Sequence, residues 1–294
     1  MNINRRRAPS RKISSEKKRL GHNNEEIFAK LIKGSVKKGT QKGDVIDKHK
    51  IVYSVKSGKK WQIFLYTLNR ISQSSNLSIL KPCLESFPDD YDLYEKDRIN
   101  CISFKETHLR NYGKDATKKL SNDEIINNLE DNTYIEAKYK LSKNTEIISK
   151  LLSEKDVQKK FYKEAIFNND EVKFLIIKDT HYKKDGLFKV FTKDDVLKIL
   201  TELTYPSVSK AGKIPQDFNV DGQKILFCYE KNPGISKNII EIEVRNDSKI
   251  KYRLLRFNMY SKDALHLLTR LPKMKYNNEI QTFGEANEKF KPET

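Results

Sequence analysis

The stretch that most limits what this chain can fold into is residues 172–177, an apolar run of strand length that leads into a second strand candidate at 187–191 and an amphipathic helix at 194–203. The same mixture of periods recurs near the start. Ile27, Phe28, Leu31 and Ile32 form a helical stripe, with Asn23 as the expected N-cap, Glu26 reaching back in a capping box and Gly34 as the stop. Residues 43–46 and 50–55 read as short strands, the second because Ile51, Tyr53 and Val55 alternate with Val52 and Ser54. Residues 61–71 carry a helix-like apolar pattern. Residues 121–168 are charged and helix-favouring, 225–229, 239–244 and 252–257 are β-rich, and 262–270 should close the chain with a helix. The expected class is therefore α/β, a central mixed sheet flanked by helices. No internal repeat is present.

Hydrophobic residues make up 37% of the 294, enough to bury a core without staples. Cys83, Cys101 and Cys228 are odd in number and show no CxxC spacing, which argues against a disulfide framework or a zinc site and fits a reducing cytoplasm. No stretch is apolar enough to cross a membrane, and no apolar run follows the basic N-terminus as a secretory signal requires. With 58 Lys and Arg against 40 Asp and Glu, the net charge is +18, and a polyanion is the natural partner. An AT-biased genome would also enrich lysine and asparagine without any such partner. Residues 1–20 hold eight basic side chains against one acidic, so a flexible basic arm is expected there, with Arg5, Arg6 and Arg7 placed to lie along phosphates or in a minor groove.

The residues that carry chemistry lie early in the chain. Asp44, in Gly43-Asp44-Val45, begins one strand, and Lys56, twelve positions on in Tyr53-Ser54-Val55-Lys56, ends the next. Alternation puts Ser54 and Lys56 on one face, so a short shift of register brings both toward Asp44. Phosphodiester hydrolysis needs such a set: a carboxylate for a divalent cation that polarises the phosphate and acidifies water, and a lysine that holds or deprotonates that water.

This arrangement resembles the PD-(D/E)XK nuclease superfamily, in which an Asp is followed at variable distance by Glu-x-Lys or Asp-x-Lys. Ser54 departs from that pattern, because an acid is expected there. Superfamily members tolerate the loss by supplying a carboxylate from a helix, and the candidates are Glu25 and Glu26, with Glu25 sharing a helix edge with Phe28 and Ile32. In Gln62-Ile63-Phe64-Leu65-Tyr66, Gln62 stands where many such nucleases carry a supporting glutamine. The resemblance implies a restriction-endonuclease-like core and a catalytic set of Asp44, Ser54, Lys56, Gln62 and Glu25. It implies Mg²⁺ held by Asp44 with Glu25 or Glu26, and a type II restriction endonuclease that cuts double-stranded DNA as a homodimer. A cognate DNA methyltransferase would act in the same host without a stable complex. The domain expectation is an arm at 1–20 and one nuclease domain at 21–294, divided into a catalytic core (21–120), a helical scaffold (121–170) and a β-rich recognition half (171–275).

A rival set stands later, where Asp131 precedes an intact Glu136-Ala137-Lys138; the spacing leaves no room for a turn between paired strands, and the surroundings favour helix. For base reading the candidate is the loop 204–217, whose Ser207, Ser209, Lys210, Lys213 and Gln216 combine short polar groups with cations. The five histidines show no HxH or HExxH spacing, and no glycine-rich nucleotide loop appears. A nuclease of the same fold without fixed sequence specificity, a non-catalytic nucleic-acid-binding protein and an assembly scaffold remain alternatives.

Overall fold

The computed structural model describes residues 11–37, 43–178, 188–212, 217–269 and 279–280. From the N-terminus come α1 (Arg11–Leu31), β1 (Ser35–Val36), β2 (Val45–Ile46), β3 (Val52–Lys56) and β4 (Lys60–Tyr66). A helical stretch follows, with α2 (Leu68–Ser72), α3 (Lys81–Glu85), α4 (Tyr91–Lys119), α5 (Asn122–Ile126), α6 (Thr133–Leu151) and α7 (Lys155–Phe167). The chain continues through β5 (Val172–Lys178), β6 (Phe188–Thr192), α8 (Lys193–Leu203), β7 (Thr204–Val208), β8 (Lys224–Asn232), β9 (Ile235–Arg245), β10 (Leu254–Tyr260), α9 (Ser261–Leu268) and β11 (Glu279–Ile280). It forms two compact units, one of residues 1–61, 162–200 and 260–294, the other of residues 62–161 and 201–259.

In the first unit the described residues form a mixed six-stranded sheet in the order β1-β2-β3-β5-β6-β11, with β3 and β5 parallel and the other pairs antiparallel. The β2–β3 register is set by its connection. Asp47 Oδ1 accepts from His49 N at 2.8 Å and Ile51 N at 2.9 Å, Asp47 Oδ2 accepts from the Tyr53 hydroxyl at 2.9 Å, and Lys50 takes a positive φ of 64°. That turn pairs Val45 with Tyr53 and Ile46 with Val52. Phe28, Ala29 and Ile32 of α1 pack with Val45, Tyr53, Val55, Ile176, Phe188 and Val190 in one buried cluster, where Phe28 meets the rings of Tyr53 and Phe188 edge-on at 5.5 and 5.3 Å. The run that reads as the most apolar strand, β5, is thus central in its sheet, and Leu175, Ile176 and Ile177 are fully buried.

The helix α1 begins at Arg11, well before the expected cap, so Asn23 lies exposed in a helix interior and forms no capping box. The reason is propensity: between Arg11 and Leu20 there is neither proline nor glycine, and Arg, Lys, Glu and Leu extend a helix once tertiary contacts anchor it. The expected arm is therefore helical from Arg11 on, and residues 1–10, with Arg5, Arg6 and Arg7, lie outside the described residues. At the other end the helix stops as expected. Lys33 takes the left-handed conformation at φ 51°, and Gly34 N donates to Ala29 O at 2.8 Å.

The second unit holds a five-stranded sheet among its described residues, in the order β4-β10-β9-β8-β7, whose β7–β8, β8–β9 and β9–β10 pairs are antiparallel. The helix-like pattern of residues 61–71 resolves instead into β4 and the short α2. Along β4, Trp61, Phe64 and Tyr66 are buried while Lys60 and Gln62 are exposed; aromatic residues suit a pleated surface, and the pairing partner β10, distant in sequence, decides the state. The expected loop at 204–217 likewise begins as a strand, β7, paired to β8 with Pro206 opposite Phe227. As the edge strand, β7 tolerates a residue that donates no hydrogen bond.

Helices α4 and α6 are joined by a buried cap. Asp97 of α4 accepts from Tyr134 N, near the start of α6, at 2.7 Å, and the aromatic rings of Tyr94 and Tyr134 meet edge-on at 5.5 Å. The expected helical scaffold at 121–168 is present as α5, α6 and α7. Among the described residues no helix is long and apolar enough to cross a membrane.

Candidate active site

The Asp44 side chain is the centre of a convergence in the first unit. Its Oδ2 accepts from Ser54 Oγ at 3.1 Å, Val55 N at 2.7 Å and Lys56 Nζ at 2.8 Å. Its backbone N donates to Tyr53 O at 2.8 Å, which continues the β2–β3 ladder and holds Asp44 across from β3. Three donors on one oxygen pin the carboxylate, and Oδ1 is left without a hydrogen-bond partner among the described residues. The Lys56–Asp44 ion pair is largely sheltered, with 17% and 18% of the two side chains exposed, so water screens it less than a surface pair.

Close backbone approach makes this geometry possible. A Cβ on Gly43 would collide with Val52 Cγ1, a core residue of β3. Glycine therefore lets the segment leading into β2 lie against β3 and sets Asp44 at the sheet.

Glu25 of α1 completes the set. It is partly buried, and burial pushes its carboxyl above the ordinary glutamate range; the hydrogen bond with His22 opposes that shift, the negative charge of Asp44 adds to it, and Lys56 opposes it. Glu25 thus lies within electrostatic reach of both Asp44 and Lys56. His22 Nδ1 is 3.0 Å from Glu25 Oε2, one helical turn away. Glu26, the other candidate ligand, is exposed on α1. Gln62 is exposed on β4, in the part of that strand that belongs to the second unit.

Two residues at this end of the sheet were not singled out from the sequence. Because β3 and β5 run parallel with Lys56 opposite Ile177, the next residue, Lys178, ends β5 beside the end of β3. Lys178 Nζ donates to the buried Asn24 Oδ1 at 3.1 Å, tying β5 to α1 one residue from Glu25. The signal available in the sequence was the lysine that closes the apolar run at 172–177, which becomes meaningful only once β5 is known to lie beside β3.

No group of three or more His, Cys, Asp and Glu side chains positioned to hold a metal is found among the described residues. Mg²⁺ does not require one, since it keeps several waters and is bound through one or two carboxylates together with substrate phosphates. Asp44, with its unpartnered Oδ1, and Glu25, whose charge is disfavoured by burial and by its acidic neighbour, form a donor set that fits it.

Of the residues expected to contact DNA, Lys213 and Gln216 lie outside the described residues, as do Arg5, Arg6 and Arg7. Ser207 is a strand residue of β7, paired with Leu226. Ser209 closes the end of that pairing, because its Oγ accepts from Lys224 N at 3.1 Å and its own N donates to Lys224 O at 3.0 Å. Lys210 is well exposed and reaches Asp221 at 3.2 Å. In the rival set, Asp131 Oδ1 accepts from Thr133 N at 2.9 Å and Thr133 Oγ1 at 2.7 Å, Glu136 is exposed and Lys138 is partly buried, the last two both on α6. No family model matches this chain, and neither a curated protein nor a solved structure is similar to it.

Proposed function

We propose that this chain is a Mg²⁺-dependent endonuclease of the PD-(D/E)XK kind that hydrolyses phosphodiester bonds in double-stranded DNA, with the sequence specificity and dimeric state of a type II restriction endonuclease. The observation that carries the reading is the junction of Asp44, Ser54 and Lys56 through hydrogen bonds of 3.1 Å or less to one carboxylate oxygen, with Glu25 within electrostatic reach. A Mg²⁺ ion bound by Asp44 and Glu25 would polarise the phosphate and acidify a water. Lys56, at the end of β3, holds the attacking water or the phosphate by its ammonium, and Ser54 and Val55 N keep Asp44 from rotating away. Ser54 occupies the place of the acid in the superfamily motif, and Glu25 supplies the missing carboxylate from α1. The net charge of +18 favours a polyanionic substrate.

The decisive experiment incubates the protein and its Lys56→Ala variant with unmethylated phage DNA, in Mg²⁺ and in EDTA, and resolves the products on a gel. Discrete fragments that need Mg²⁺ and disappear with Lys56→Ala are expected; a Mg²⁺-dependent smear would keep the nuclease and remove the sequence specificity. Binding without cleavage under every condition would overturn the enzymatic reading in favour of a nucleic-acid-binding protein.

A further inference from the structure

The far end of α4, in the unit that does not contain Asp44 and Lys56, carries a row of rings on its surface. Phe104, His108 and Tyr112 follow one another at intervals of four residues, so they lie along one helix edge, with successive ring centroids 6.5 and 4.6 Å apart. Phe104 and His108 are half-buried. Tyr112, at 68%, is the most exposed aromatic side chain among the described residues.

The row is held in place by a break in the helix. Gly113 takes φ 83° and ψ 175°, a conformation that only glycine adopts readily. Across the break the buried Thr117 donates from Oγ1 to Gly113 O at 2.8 Å. Its one proton is thereby used, so it accepts from His108 Nδ1 at 3.0 Å and fixes the imidazole against which Tyr112 lies.

Cations gather at the same break. Residues 108–120 hold Arg110, Lys114, Lys118 and Lys119 against Asp115 alone. Lys114 and Lys118 are one turn apart and share the helix face next to Thr117, which touches His108. Both are exposed; Lys114 has no ion pair among the described residues, and Lys118 meets Asp115 at 4.0 Å in water.

The combination selects among polyanions. A lipid surface needs apolar side chains beside the ring, and Ala116 is all that residues 110–119 supply. An acidic peptide engages the lysines and leaves the ring in water. A base-paired duplex offers phosphates while its base faces stay inside the stack. A single strand offers both, a π-face on every base and a phosphate between bases.

We propose that this end of α4 binds single-stranded nucleic acid, with an unpaired base stacked on Tyr112 and the neighbouring phosphates on Lys114 and Lys118. The inference does not rest on the nuclease reading. Duplex cleavage in Mg²⁺ reports on that reading alone, so either can fail without the other.

The test measures binding in EDTA by fluorescence anisotropy, with a labelled oligothymidylate, the matching oligouridylate and a blunt hairpin duplex. The protein is expected to bind the single strands, and Tyr112→Ala to weaken that binding about tenfold, the scale of losing one base–aromatic stack. Tyr112→Trp retains it, which separates stacking from a general loss of structure, and duplex affinity does not change in Tyr112→Ala. Replacing Lys114 and Lys118 together by alanine lowers the slope of log affinity against log salt by about 1.4, the release expected for two phosphate contacts on a single strand. Tighter binding of one of the two strands identifies the ligand as DNA or RNA. Absence of single-strand binding in the unaltered protein overturns the proposal, and so does a Tyr112→Ala variant that binds single strands as tightly as the original or loses duplex binding equally.

Discussion

The chain carries two acidic and lysine constellations, and the one that looks poorer on paper is the one that assembles. Glu136-Ala137-Lys138 keeps the Glu-x-Lys spacing intact, whereas Ser54-Val55-Lys56 lacks the acid. On β3 the i and i+2 side chains share a face, so Ser54 and Lys56 both reach Asp44. On α6 the same spacing turns about 200° around the axis. Glu136 accordingly faces solvent while Lys138 turns inward over the Tyr134 ring, and Asp131 is spent on Thr133 at the helix start. A short motif has no geometry until its secondary structure is known.

The largest expected effect would break this comparison outright. Asp44→Asn should lower the rate of Mg²⁺-dependent DNA cleavage by about 10²–10⁴-fold, the scale of losing a catalytic acid–base or ligand group, while Glu136→Gln leaves it within about twofold. Single-turnover cleavage of one plasmid by both variants checks it. A loss with Glu136→Gln and none with Asp44→Asn would move the proposed active site to α6.

A smaller effect concerns how Asp44 is held. Gly43→Ala drives a methyl into Val52, and overpacking of this kind costs about 1–3 kcal/mol. Urea unfolding should show that loss, together with a fall in cleavage as Asp44 shifts from β3. An alanine variant as stable and active as the original protein would mean that the close approach of this segment to β3 is not needed.

The smallest effect sharpens the role of Glu25. Its pKa is raised, so the folded state holds the proton more tightly than the unfolded chain. Glu25 therefore destabilises the fold once the pH exceeds its folded pKa, and contributes no such penalty below the ordinary glutamate value. Stability relative to Glu25→Gln should thus decline as the pH rises from about 4 toward neutrality. Mg²⁺, which favours the carboxylate, should reverse the decline in the original protein and not in the variant. Chemical unfolding at the two pH values, with and without Mg²⁺, reads both; a difference insensitive to pH and Mg²⁺ would remove Glu25 from the proposed metal site.

Much of the first unit was legible because local signals mark its elements, although β3 is buried on both faces where the alternation of Tyr53 and Val55 with Val52 and Ser54 implied one. The stripe of Phe28 and Ile32, the alternation through Tyr53 and Val55 and the apolar run ending in Ile177 each name an element that the structure contains, and each feeds one core cluster or its sheet. Where the signals were local but the decision was not, the expectation failed. Trp61 to Tyr66 has apolar residues enough for a helix, and pairing with β10 makes it a strand. Ser207 has the polarity of a loop residue, and its place opposite Leu226 puts it in β7. Asn23 has the chemistry of a cap, and the helix formers before it carry α1 past it.

The sequence alone determined the α/β class, the pairing of Asp44 with Lys56 as candidates and Glu25 as the inward acid, because periodicity and residue chemistry are properties of short windows. Only the tertiary structure decided that β3 and β5 lie side by side and parallel, and that Lys178 and Asn24 join the end of that sheet. Those facts depend on contacts between residues more than a hundred positions apart, whose closure entropy is recovered only when a whole core forms, and no window of the sequence contains both partners.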